Sequence, residues 1–64
     1  MTTTFAAELK RRRKEKGMSQ TQLAIKTGIA RHNLAAYEEN RAQPPMDKFL
    51  KICEAFGITN LLKT

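Results

Sequence analysis

The sequence predicts an all-α fold, and three observations carry that prediction. Apolar residues recur at helical spacing along the whole chain, and no stretch alternates as a strand would. Gly17, Gly28 and Gly57 each fall just past a helix-like run, where a left-handed residue commonly ends a helix. The stretch "SQTQLA" (19–24) opens on a reciprocal capping signature. With 64 residues the chain has room for one domain, 1–64. A domain of this size buries only about 60% of the surface its unfolded chain exposes.

The elements follow in order. Threonines 2 to 4 offer an N-cap for a first helix that turns Phe5 and Leu9 inward, and Gly17 ends it. Ser19 caps a second helix, and Gln22 completes the capping box. Met18 and Leu23 occupy the two positions of a hydrophobic staple. Leu23, Ala24 and Thr27 form the inner face of this helix, and Gly28 stops it. Residues 31–38 make a third helix with Leu34 and Tyr37 inward, and Asn40 takes the left-handed conformation after it. Pro44 and Pro45 lead into a fourth helix, where Asp47 complements the helix dipole. Phe49, Ile52, Cys53 and Phe56 form its inner stripe. Gly57 closes it, and "TNLLKT" (59–64) supplies a last turn that packs Leu61 or Leu62. Met18 and Met46 are expected to fill core space.

Lys and Arg total 12 against 6 acidic residues, for a formal charge of +6 and a pI near 10.0. Half of the basic residues lie in "KRRRKEK" (10–16). Such a balance favours a polyanionic partner. The lone Cys53 cannot form an intramolecular disulfide, which fits a reducing cytosol. No apolar run approaches the roughly 20 residues of a membrane span, and the start lacks the order of a secretory signal. A cytoplasmic protein without a membrane role is expected.

Enzyme chemistry is not called for. Ser19, His32 and Asp47 are the chain's only Ser, His and Asp. Ser19 is explained as a cap and Asp47 as a dipole partner, and no oxyanion hole is visible. One His and one Cys fall short of a zinc site, so neither metal nor cofactor is expected. Cys53 reads as core, and Ile25 points away from the inner stripe of its helix without an evident task.

Two helices joined by a short glycine-containing turn, here about 19–38, make the helix-turn-helix pattern, whose second helix enters the DNA major groove. That explains why the third helix opens on Arg31, His32 and Asn33. Leu34 and Tyr37 anchor its inner side, so the first turn projects outward. Arg matches the acceptors of guanine, Asn matches adenine, and Ala36 is small enough to meet a thymine methyl.

The stretches "LKRRRKEKGMSQTQLA" (9–24), "TGIARHNLAAYEENR" (27–41) and "PPMDKFLKICEAFGI" (44–58) resemble the Cro/cI-type (Xre-type) helix-turn-helix regulators of bacteria and their phages. The resemblance covers about residues 5 to 58. It implies a compact five-helix bundle, the lambda-repressor-like DNA-binding domain, and homodimers on double-stranded operator DNA of palindromic form. By position it implies base contacts from Arg31, His32, Asn33 and Ala36. It implies phosphate contacts from Gln20, Thr21, Asn40 and Arg41, and a structural ion pair between Arg13 and Glu38. The chain departs from the family at Ala30, where Ser or Thr is usual, and at Glu39, whose charge opposes phosphate. The implied function is a repressor that occupies a promoter. The alternative is an antitoxin-like module that neutralises a partner protein and binds DNA secondarily.

Overall fold

A computed structural model describes residues 4–57, and within them the chain forms four helices and no strand. They are α1 (Phe5–Glu15), α2 (Gln20–Thr27), α3 (Arg31–Glu38) and α4 (Met46–Phe56). The five-helix count is therefore not matched. The last turn expected over 59–64 lies outside the described residues. No helix among those described is long and apolar enough to cross a membrane.

Side-chain caps open the first two helices. Thr4 Oγ1 accepts the Ala7 N–H at 3.2 Å and fixes the entry to α1. Ser19 Oγ accepts the Gln22 N–H at 3.0 Å, and Gln22 Oε1 accepts the Ser19 N–H at 2.8 Å, so α2 opens on a complete capping box. α3 has only Ala30 at its cap position and no side-chain cap bond. α4 begins behind Pro45, again without a side-chain cap, with Asp47 in its first turn.

Helices α1 and α2 both pack on α3, and α4 packs on α2. The core is Leu9, Leu23, Ile29, Leu34, Tyr37, Ile52 and Phe56, with Phe5 and Met18 against its edge. Leu23 and Leu34, one from each helix of the central pair, are fully buried. Truncating either to Ala would cost about 2–5 kcal/mol, a large share of what so small a core supplies. Phe5 and Phe49 meet with ring centroids 5.5 Å apart and tilted by 52°, tying α1 to α4. Met46 departs from the expectation of a core residue and is 69% exposed. It is the first residue of α4, and no described element covers it.

The turn between α2 and α3 is built from three adjacent residues. Thr27 Oγ1 donates to the Leu23 carbonyl at 2.8 Å and accepts the Ile29 N–H at 3.3 Å. Gly28 takes a left-handed φ of 73°, which an L side chain adopts only with strain. The chain thereby turns Ile29 into the core, where it is 2% exposed. An apolar residue directly after the left-handed glycine packs back on the helix it leaves. This turn sets the angle of α3 against α2.

Candidate nucleic-acid interface

α3 is an eight-residue helix with two sharply different sides. Leu34, Tyr37 and Glu38 are buried, at i, i+3 and i+4. His32 and Ala36, four residues apart, share the opposite side, Asn33 flanks it, and Arg31 stands at the open end of the first turn. Arg31 and His32 are exposed, and Asn33 and Ala36 are half-buried. The four residues expected at base edges thus lie together on the outward face and the first turn of one helix.

Arg31 stands apart electrostatically. Of the chain's five arginines, Arg11 pairs with Glu8 and Glu15, Arg12 with Glu8, Arg13 with Glu38 and Arg41 with Glu39. Arg31 has no acidic partner among the described residues. It also opens a helix, where the dipole is positive and a cation is unfavourable by about 0.3–1 kcal/mol. Neither α2 nor α3 carries an acid in its first turn. Both helix starts are therefore positive and open to an anion.

At the start of α2 the capping box uses the N–H groups of Ser19 and Gln22. The backbone N–H groups of Gln20 and Thr21 have no protein acceptor among the described residues. Thr21 is exposed and Gln20 half-buried. The Gln20 carboxamide is already engaged: its Nε2 donates to Glu38 Oε1 at 3.1 Å. Sequence reasoning missed this contact, because nothing in chain spacing links residue 20 to residue 38.

Glu38 in turn accepts two hydrogen bonds from Arg13, Nε to Oε2 at 2.6 Å and Nη2 to Oε1 at 3.1 Å. Arg13 also donates through Nη1 to the Met18 carbonyl at 2.7 Å. The two side chains are 11% and 2% exposed, so the pair is withdrawn from water. Its hydrogen bonds to Glu38 hold the Arg13 guanidinium above its ordinary pKa, although burial opposes the shift. This network joins α1, the turn before α2, the first residue of α2 and the last residue of α3.

The loop after α3 is also shaped by local bonds. Asn40 has φ 59°, the left-handed conformation that Asn tolerates better than most residues. The Arg41 N–H donates to the Ala36 carbonyl at 2.9 Å and the Asn40 N–H to the Tyr37 carbonyl at 3.2 Å, which closes the helix end. Both side chains are exposed. The Arg41 Nε–Glu39 Oε1 pair, at 2.7 Å, is exposed on both sides. A pair of that kind is worth little and opens readily to a competing anion.

The basic run of α1 carries less free charge than its composition implies. Its three arginines are paired, whereas Lys10, Lys14 and Lys16 are exposed with no acidic partner among the described residues. Arg11's hydrogen bond is the main reason that the Glu8 carboxyl lies below its ordinary range. Burial raises the Cys53 pKa, with Arg12 opposing the shift. A protonated, buried thiol is an inert core group. No group of His, Cys, Asp and Glu among the described residues is arranged to hold a metal.

A family model described as a helix-turn-helix domain matches residues 6–61. No curated protein and no solved structure matches the chain.

Proposed function

Because the chain belongs to a helix-turn-helix domain family, we propose that it is a sequence-specific double-stranded DNA-binding regulator of the Cro/cI (Xre) type. In this reading it is a repressor that occupies a promoter operator in the cytoplasm of a bacterial or phage-infected cell. The observation that carries the reading is Arg31, an exposed arginine without an acidic partner among the described residues, at the positive end of a helix that Leu34 and Tyr37 lock into the core. An isolated protein gains nothing from a cation there. A guanine edge or a phosphate in front of that turn reverses the sign of the term.

Arg31, His32, Asn33 and Ala36 contact base edges, and Gln20, Thr21, Asn40 and Arg41 hold the sugar-phosphate backbone on either side. Phosphate contacts fix the register of the helix, and base contacts select the sequence. One short helix reads too few base pairs to single out a genomic site. Two subunits therefore bind as a homodimer across a palindromic operator, with their third helices about 34 Å apart.

Ile25, 79% exposed on α2, favours a second reading. In that reading the chain is an antitoxin-like module that buries this residue against a partner protein and binds DNA secondarily. Salt dependence separates the two. Each phosphate neutralised by Lys or Arg adds about −0.9 to the slope of log affinity against log salt concentration. Arg41 with one or two exposed lysines of the basic run gives a slope of about −2 to −3 per subunit, doubled for a dimer. A nearly flat response for the tightest partner supports the protein-binding module instead.

A further inference from the structure

A glutamine on a helix surface samples many rotamers, and a ligand that uses its carboxamide must freeze them. Gln20 is not free in that way. Its Nε2 donates to Glu38 Oε1, and that oxygen is fixed because Arg13 holds the carboxylate in a two-point grip. Arg13 also holds the Met18 carbonyl, two residues before Gln20, so the backbone leading into α2 is pinned by the same guanidinium. The carboxamide nitrogen has a second hydrogen, in plane and turned away from the first. With one hydrogen on Glu38, the other faces away from the carboxylate. Gln20 is only half-buried, and no protein acceptor among the described residues takes that second hydrogen.

We infer that Glu38 is a positioning residue for the DNA-backbone contact at the start of α2, acting through the Gln20 carboxamide. The inference rests on the DNA-binding reading above. A carboxylate placed behind a phosphate site would ordinarily repel the phosphate. Here Arg13 neutralises it, so Glu38 supplies a fixed acceptor without net charge. The rotamer freedom of Gln20 is lost on folding rather than on binding, and the contact is stronger for that reason. The donor that reaches phosphate is neutral, so it adds affinity without adding to the salt slope.

The test is a double-mutant cycle on affinity for a labelled random-sequence duplex, because backbone contacts do not depend on sequence. Gln20→Ala and Glu38→Gln are expected to weaken binding by about 5- to 10-fold each, the size of one ordinary net hydrogen bond. Within the Glu38→Gln background, Gln20→Ala should cost less than about 2-fold, and Gln20→Ala should leave the salt slope unchanged in either background. Multiplicative losses would overturn the inference, since Glu38 would then act on the fold alone. Tighter binding by Glu38→Gln would overturn it as well, because its charge would be the only effect. Absence of wild-type binding to any duplex at low salt would remove the DNA-binding reading and this inference together. A readout that needs no variant is ¹⁵N relaxation of side-chain amides in the free protein. Gln20 should be as rigid as the backbone while the exposed Gln43 is mobile, and equal mobility of the two would overturn the inference.

Discussion

At the scale of single residues, Glu38 and Arg31 carry opposite kinds of consequence. Glu38 has a nearly sealed side chain and holds its charge against Arg13. Glu38→Ala leaves that guanidinium buried without its partner, at an expected cost of about 3–5 kcal/mol. A thermal midpoint unchanged from wild type would contradict the role. Arg31→Ala should leave stability intact and relax preference at one base pair by about 1–3 kcal/mol, most plainly a G·C pair. Arg41→Ala should weaken every sequence alike, which a base-by-base affinity profile of both variants would test. Residue identity made the outward set legible, because Arg, His and Asn opening a helix have no packing task. The Arg13–Glu38 pair came from resemblance rather than from spacing, and Gln20's bond to Glu38 was not legible at all. Partners 18 and 25 positions apart meet only because two helices pack on a third.

At the scale of elements, the helices were readable where they carry their own signals. The Ser19–Gln22 box, the left-handed glycines and the α4 stripe are local, and they give the same answer in the sequence and in the fold. Ile29 and Met46 show the limit of that reading. Ile29 lies in a turn with no periodicity and is buried by the Gly28 geometry, whereas Met46 has the periodicity of a core residue but stands exposed at the first position of α4. The weak element is α3, whose cap residue Ala30 makes no side-chain bond. Its backbone, at φ −59° and ψ 140°, is already extended, and the position is exposed. Ala30→Ser should therefore cap α3 and stabilise the domain by about 1 kcal/mol. For a domain of this size the thermal midpoint should rise by about 4–8 °C. A midpoint that does not rise would mean that the first turn of α3 is held by something other than its cap.

At the scale of the whole molecule, charge and size bear on the same function. Four of the six acidic residues are matched by arginines, so the remaining positive field comes from the lysines and Arg31. That field accelerates encounter with a polyanion but carries no sequence information. In the proposed reading, sequence is recognised by Arg31, His32, Asn33 and Ala36 of one short helix, whose reach is a few base pairs. In that reading two subunits pair on the DNA. Selection of bound duplexes from a random pool tests this most directly. The expected result is an imperfect palindrome with half-site centres about one helical turn apart, close to 10–10.5 base pairs. Enrichment of no sequence, or of an asymmetric site without a repeated half, would contradict it.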